Sequence, residues 1–351
     1  MTSTLLDNLW LASCLMGALS VSAILVVIVR RAFLSTVAFS EAELHDSVLQ
    51  ALMTDWTIVD AELVRKFLKR GRRVAHLVTE FSALVRGPEL TRGLELLDQS
   101  GAVDELLYLL KRGNREDKLA ACDALSLFAS EVASDRLKGV AKRAGSRRLR
   151  IAALRALIEM GGQPSIADVI QWMRLTDAEI PAEASTVLML STRLHPAEAL
   201  ARIVSGIDRP PVRAALVWAI GEAGIYEAIP VLAEMATHNN PRIRIAALHA
   251  IGEMAFITDR TVLQYCLADG ISEVRAEAAV AIGKTGDLSA IGVLAVLLDD
   301  PEWDVRFRAA NALVDLGDAG VEELRAAAAG SNEPSRRART AAMVMSERRV
   351  A

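Results

Sequence analysis

Apolar residues recur at helical intervals along most of the chain. In the stretch "PVRAALVWAIGEAG" they fall three and four positions apart, which places them on one stripe of an α-helix. The stripe consists of Val212, Ala215, Leu216, Ala219, Ile220 and Ala223. Glycines follow such stripes at Gly224, Gly286 and Gly317, in the position of a helix C-terminal cap. The pattern predicts short helices that end in glycine turns, each followed by a second apolar helix.

The same pattern returns at a fixed interval. Arginine recurs with one constant spacing, at Arg213, Arg244, Arg275, Arg306 and Arg337. Alanine and isoleucine or leucine columns keep this spacing, so that "RIRIAALHAIGEMA", "EVRAEAAVAIGKTG" and "DVRFRAANALVDLG" repeat the first stretch. A period of this length indicates a solenoid, because one unit cannot bury its apolar face without stacking on its neighbours.

These columns resemble the HEAT-like repeats of the phycobilisome-lyase type. The resemblance rests on an aspartate or proline turn, then Val-Arg, two or three alanines, Ala-Ile-Gly, and a second helix such as "AIPVLAEM". It covers most of residues 87–345 and is strongest over 210–317. The family includes scaffolds, adaptors and a few bilin lyases, so the resemblance implies the architecture and leaves the activity open.

An uncharged apolar segment lies near the N-terminus, at residues 9–29. As a helix it would span about 31 Å, which matches a bilayer core of about 30 Å. The positive pair Arg30 and Arg31 follows it, which favours a cytoplasmic location for the remainder. We therefore expect an extracytoplasmic tail at 1–8, a transmembrane helix at 9–29, a juxtamembrane helical region at 30–86 and the repeats at 87–351. The predicted fold is all-α, a right-handed α-solenoid of about eight HEAT-like helix pairs preceded by one transmembrane helix.

A basic stretch follows the predicted membrane helix. It contains Arg65, Lys66, Lys69, Arg70, Arg72 and Arg73. These cations could contact anionic lipid, where each would contribute on the order of 1 kcal/mol. They could equally form a solvated helix end, which we favour because charge runs usually face solvent.

The periodic arginines have two possible roles. Arg213, Arg244, Arg275 and Arg306 should stand in a row, which we call the arginine ladder. Guanidinium groups in a row could bind phosphates or an acidic partner. Alternatively, each could pair with an acid or a carbonyl in a turn, near Asp269 or Asp300, and hold the repeats in register. The strict periodicity favours the structural role.

Columns that change from repeat to repeat are better candidates for recognition. In this repeat class the second helices usually line the concave face, and we expect a partner to contact residues there. These are Glu227, Glu234, Thr258, Gln264 and Tyr265. On the outer side, Trp218 shares a variable column with His249, and Trp303 lies in a turn between repeats; either tryptophan could bind a partner.

Composition and motifs argue against several other functions. The net charge of −4 gives no general attraction to nucleic acid, and the three cysteines are too far apart for a disulfide framework or a zinc site. The histidines are scattered, without HExxH or GxSxG motifs, so we expect no catalytic residues, no metal and no cofactor.

The sequence therefore predicts a non-catalytic scaffold or adaptor anchored in a bacterial inner membrane. Its cytoplasmic groove would bind other proteins, for example those of a polysaccharide-synthesis or secretion assembly. The alternative is a cofactor lyase, or a chaperone-like accessory, of the bilin-lyase HEAT type.

Overall fold

The computed structural model describes residues 45–50, 52, 71–175, 180–256, 259–329, 340–341 and 343–344. Every regular element in these residues is helical, which confirms the all-α prediction. The chain divides into two compact units, Met1–Ala133 and Ser134–Ala351. The predicted tail at 1–8 and the predicted membrane helix at 9–29 lie outside the described residues, as does Arg337.

The described residues of the first unit contain four full helices after the short helical segment 45–50. They are α1 (Gly71–Leu84), α2 (Pro88–Gln99), α3 (Ala102–Arg112) and α4 (Arg115–Leu125). Helix α1 packs against both α3 and α4, and α2 packs against α3. Phe81, Leu97, Leu106 and Leu125 are fully buried and contribute to the core of this unit.

The second unit continues the helical pattern to the end of the described array. Helix α5 (Glu131–Arg143) begins just before the boundary between the units. The described helices that follow it are α6 (Arg147–Glu159), α7 (Ile166–Met173), α8 (Ala182–Leu194), α9 (Pro196–Ser205), α10 (Pro210–Ala223), α11 (Ile229–Met235), α12 (Pro241–Met254), α13 (Thr261–Cys266), α14 (Ser272–Thr285), α15 (Ile291–Leu297), α16 (Trp303–Asp315) and α17 (Asp318–Ala329). Single 3₁₀ turns, Tyr226–Ala228 and Leu288–Ala290, precede α11 and α15.

Helices α6 to α17 form six successive pairs. The first helices of the pairs, α6, α8, α10, α12, α14 and α16, pack on one another in that order. Each second helix contacts the first helix of the next pair, as α11 contacts α12 and α15 contacts α16. The irregular unit at α8 and α9 lacks the arginine column but keeps its place in the series. The helical repeat prediction is confirmed, while the handedness and the total of eight pairs stay predictions.

Alanine and glycine bring the first helices close together. A side chain at Gly283 would meet the Cα of Ala312 at 3.0 Å, and one at Gly252 would meet the Cα of Ala281 at 3.3 Å. At Gly221 the added atom would overlap the backbone of the next first helix. The repeated alanine of one helix therefore lies against the repeated glycine of the helix before it. Replacing either column would force the helices apart.

The turns between the helices of a pair require left-handed backbone. Gly224, Gly286 and Gly317 adopt φ values of 68°, 69° and 77° at the ends of their first helices, as the sequence predicts for glycine caps. At the equivalent position of the intervening repeat, Ala255 adopts φ 51°. A β-carbon in this conformation costs on the order of 1 kcal/mol, so this repeat carries backbone strain that its neighbours avoid.

No helix in the described part of the chain combines the length and the apolar character needed to cross a bilayer. The longest described helices, such as α10, have 14 residues.

We expect Gly221→Ala to destabilise the array by roughly 1–3 kcal/mol, because the new methyl group would overlap the backbone at Ala250. The denaturant midpoint, followed by circular dichroism, measures this loss.

Gly292→Ala is the matched control, because a side chain at Gly292 in α15 would meet no heavy atom within 4 Å. That change should be neutral or stabilising by up to about 0.5 kcal/mol through helix propensity. Equal effects of the two substitutions would contradict close packing at Gly221.

Candidate functional site

Three arginines of the ladder, Arg244, Arg275 and Arg306, bind the turn that precedes their own helix. The Nη1 group of Arg275 donates a hydrogen bond to the backbone oxygen six positions earlier, that of Asp269, at 2.8 Å. The same interval recurs in the neighbouring repeats. Arg244 donates to the oxygen of His238 at 2.9 Å, and Arg306 donates to the oxygen of Asp300 at 2.7 Å.

Two ladder arginines bind an aspartate in the next turn. Arg275 donates from Nε and Nη2 to the two carboxylate oxygens of Asp300, at 2.8 and 2.9 Å. Arg244 lies in the same way against Asp269, with a distance of 2.8 Å between Nε and Oδ2 and of 2.9 Å between Nη2 and Oδ1. Arg275 therefore joins its own turn to the turn of the following repeat through paired hydrogen bonds, and Arg244 does so through one hydrogen bond and an ionic contact.

The pair Arg275 and Asp300 shifts the pKa of both groups. Burial alone would raise the pKa of the Asp300 carboxyl, but the hydrogen bonds from Arg275 and from the Glu302 amide lower it below its usual value. Hydrogen bonding to Asp300 raises the pKa of Arg275. The ionised pair is therefore the stable form, and its contribution to folding is lost only as the pH falls through the pKa of the folded carboxyl.

The ladder contains a mismatch at Arg213. The position one repeat before Asp269 is occupied by His238, whose Nε2 lies 3.3 Å from Nη1 of Arg213. Its Nδ1 accepts the amide hydrogen of Asn240 at 3.0 Å, just as the Asp269 carboxylate accepts that of Ile271. A neutral imidazole that accepts a hydrogen bond at Nδ1 carries its proton on Nε2. The Nε2–H group of His238 therefore faces the Nη1 group of Arg213, and both are donors. Burial, then the charges of Arg213 and Arg244, lower the pKa of His238 and keep it neutral.

Sequence analysis missed one member of the ladder. Arg150 donates from Nη1 to the backbone oxygens of Ala144 and Gly145, at 2.7 and 3.1 Å, and from Nη2 to that of Met173 at 3.3 Å. It therefore makes the same own-turn contacts as the others, and burial lowers its pKa. The available signal was its position, which precedes Arg213 by two repeat lengths and one further position.

The changing columns of the second helices form an exposed surface. Tyr265 and Val296 occupy the same column in successive repeats and are 70% and 69% exposed. Gln264 donates a hydrogen bond from Nε2 to the hydroxyl oxygen of Ser289 at 3.1 Å, so the predicted columns of adjacent repeats do meet. We define the second-helix surface as the half-buried Gln264 together with the exposed residues Tyr226, Glu227, Glu234, Tyr265, Leu288, Val293 and Val296. Thr258 lies outside the described residues.

Trp218 takes part in a cluster on the first helices. Its ring stacks on that of His249, with a centroid distance of 3.4 Å and an interplanar angle of 10°. Nδ1 of His249 lies 3.2 Å from a carboxylate oxygen of Glu277, and Nε2 lies 3.1 Å from a carboxylate oxygen of Glu222. Burial would lower the pKa of His249, but the hydrogen bonds to Glu277 and Glu222 raise it above its usual value. The imidazolium form thus joins α10, α12 and α14, and one face of Trp218 is already covered.

Trp303 lies at the start of α16 and stacks on Phe307, with ring centroids 5.0 Å apart. It remains 52% exposed, so of the two tryptophans it offers more surface to a partner.

The basic stretch is described only in part. Arg65, Lys66, Lys69 and Arg70 lie outside the described residues. Arg72 places its Nε 2.6 Å from a carboxylate oxygen of Asp117, a residue of the capping box that begins α4. Arg73 lies in α1 beside it. The side chain of Arg72 is therefore already engaged by an acid within its own unit.

Comparisons with known proteins agree with the helical repeats described above. A family model for HEAT repeats matches residues 197–270 and 259–345. The matched residues are similar to HEAT repeats in sequence. No curated protein matches the chain.

Several solved structures also match the chain, all at low sequence identity. The karyopherin Kap121p, in a crystal structure bound to the SUMO protease Ulp1p, is 14% identical with a TM-score of 0.53. The match covers 81% of this chain and 38% of the karyopherin, so the chain spans well under half of that relative. A designed armadillo repeat protein, 16% identical, matches 77% of this chain and 99% of its own with a TM-score of 0.27. An engineered protein, 18% identical, matches 86% and 98% with a TM-score of 0.39. The karyopherin match supports a solenoid fold.

We expect His238→Asp to stabilise the HEAT-like array by about 1–2 kcal/mol at pH 7. One carboxylate oxygen would accept the Asn240 amide and the other would accept from Arg213, as in the two following repeats. The denaturant midpoint of the variant measures the gain.

The reciprocal change, Asp269→His, provides the control, because it would give Arg244 the mismatched partner that Arg213 now has. It should lower stability by a similar amount. Shifts of the same sign in both variants would contradict the mismatch.

Proposed function

We propose that the protein is a non-catalytic scaffold that binds another protein through the second-helix surface. The observation that carries this proposal is the column of Tyr265 and Val296, two large apolar side chains that are each about 70% exposed on successive repeats. Exposed aromatic and aliphatic side chains in register form a strip to which an extended or helical segment can bind. The core beneath them is complete without such a partner, since Leu263, Leu294 and Leu298 are fully buried.

The charges near the strip indicate the chemistry of the partner. Glu227, Glu234 and Asp299 are exposed on or beside the same second helices. Arg260, the nearby cation that precedes α13, is directed towards the buried Asp287, with 3.4 Å between Nη1 and Oδ1. The surface is therefore apolar with an acidic rim, which favours a segment with apolar side chains flanked by lysine or arginine. The karyopherin that resembles the chain in fold was solved in complex with a protease, which supports a role in binding another protein.

We further propose that residues 9–29 anchor the scaffold in a bacterial inner membrane, with the N-terminus outside and the repeats in the cytoplasm. This part of the proposal rests on the uncharged apolar segment and on the arginine pair that follows it. Confinement to the membrane would raise the effective concentration of the scaffold near membrane-bound partners. Components of a polysaccharide-synthesis or secretion assembly are suitable candidates.

We expect a photoreactive amino acid in place of Tyr265 to crosslink one dominant membrane-associated protein in intact cells. The same probe in place of Tyr108 is the control, because that tyrosine of α3 is 64% exposed but lies in the other unit. Gel electrophoresis and mass spectrometry of the adduct identify the partner.

Val296→Glu should weaken that crosslink on the order of tenfold, since it places a carboxylate in the apolar strip without disturbing the core. An adduct that forms equally from Tyr108, or that survives Val296→Glu, would assign binding to another surface. A coloured ligand in the purified protein would instead support the cofactor-accessory alternative.

The anchor is tested independently by fractionation. After an alkaline wash, the full-length protein should stay in the membrane pellet, while a variant that lacks residues 1–31 should be soluble, because it has lost the apolar segment. Release of the full-length protein by the wash, or retention of the truncated one, would refute the anchor and leave the protein-binding proposal intact.

A further inference from the structure

Two histidines and one glutamate converge in the first unit, away from the arginine ladder and from the second-helix surface. Nε2 of His45 lies 2.7 Å from the Oε2 atom of Glu80, and Nδ1 of His76 lies 3.4 Å from the same oxygen. The two imidazole rings meet edge to face, with centroids 5.4 Å apart. One potential ligand atom from each of the three side chains lies within 4.8 Å of the others.

We propose that His45, His76 and Glu80 form a binding site for a divalent transition-metal ion of the zinc class. Two imidazole nitrogens and one carboxylate oxygen are a donor set that zinc uses when its fourth position is open to water. Ligand atoms about 2.0–2.1 Å from a tetrahedral ion lie roughly 3.3 Å apart. The separation of His76 and Glu80 already meets this requirement, and that of His45 and Glu80 requires a movement of about half an ångström.

The backbone explains how the site is held. His76 and Glu80 are four positions apart in α1, so both side chains lie on one face of that helix. His45 comes from the helical segment 45–50, which precedes α1 in the chain. A bound ion would therefore link this segment to α1, in addition to the hydrogen bond between His45 and Glu80.

The solvent exposure of the three side chains determines whether an ion can reach them. The side chain of His76 is 74% exposed and that of Glu80 is 37% exposed, while His45 is mostly buried at 18%. An ion could thus approach from solvent and exchange some of its water for the three ligands. Among the described residues, no lysine or arginine forms an ion pair with Glu80, so no described cation neutralises its carboxylate.

A second cluster of histidine and glutamate serves as an internal comparison, because a lysine neutralises one of its carboxylates. Glu222, His249 and Glu253 also bring their ligand atoms within 4.8 Å of one another. However, Lys284 forms an ion pair with Glu253, both nitrogens of His249 face carboxylates, and Trp218 covers the ring. This cluster is balanced by an imidazolium, and a metal ion bound at Nε2 would have to displace the proton on that nitrogen and the lysine.

The test is a zinc titration of the full-length protein in detergent, purified with a histidine-free tag and stripped of metal by a chelator. Competition against a chromogenic zinc indicator should give one site with micromolar or tighter affinity. His76→Ala and the isosteric Glu80→Gln should each weaken that site on the order of 100-fold, since outer-sphere changes alone cost about 10- to 100-fold. Cobalt(II) added in place of zinc should give a visible absorption band that His76→Ala removes.

His249→Gln is the matched control and should leave zinc affinity and the cobalt band unchanged. The proposal is overturned if the wild-type protein binds no zinc below about 100 μM, or if His76→Ala binds as tightly as wild type. It is also overturned if His249→Gln, rather than His76→Ala, abolishes binding. His76 is exposed, so its replacement should preserve the helical circular dichroism spectrum and the comparison remains valid.

Discussion

Direct contact between the backbones of successive first helices is the constraint on which the repeat array depends. Gly221, Gly252 and Gly283 leave no side chain where the next helix approaches, and alanine occupies the facing position. Helices this close cannot slide or rotate independently, because any shift would drive a methyl group into a backbone. The position of one first helix therefore determines the next. It also determines where the turns of adjacent repeats come together, and that placement brings Arg244 and Arg275 each within reach of two turns.

We interpret the arginine ladder as a set of contacts that holds successive repeats in register. A guanidinium group loses its water when it is buried, and paired ionic hydrogen bonds offset that cost without a large net gain. Arg275 recovers both bonds from an aspartate in the next turn, and Arg244 recovers one. Arg213 has only an imidazole and a thioether sulfur, at 3.3 and 3.5 Å. The array nevertheless keeps the same arrangement there, which shows that helix packing sets the geometry and that the ladder refines it.

The fixed period explains which features could be predicted. Because the same contacts recur once in every regular repeat, the sequence was sufficient to predict helix pairs, glycine turns and an arginine near Asp269 and Asp300. The interactions that break the period were not predictable in this way. His238 takes the place of an aspartate, Ala255 takes that of a glycine, and Trp218 stacks on the histidine of the next repeat. His45 and Glu80 lie in a unit without the regular repeat, so nothing in their sequence separation indicates that they meet.

The repeated columns hold neighbouring repeats together, and the changing columns supply the exposed side chains. Repeated residues face neighbouring repeats and must fit the same contact each time, so they are small or make the same turn contacts. Residues of the second-helix surface face outward, and a change from Glu234 to Tyr265 to Val296 along one column alters neither the glycine contact nor the ladder. Each repeat can therefore change its exposed side chain without a compensating change in the core. A binding surface built this way can be adjusted one repeat at a time, because helix packing holds its shape and the exposed columns supply its chemistry.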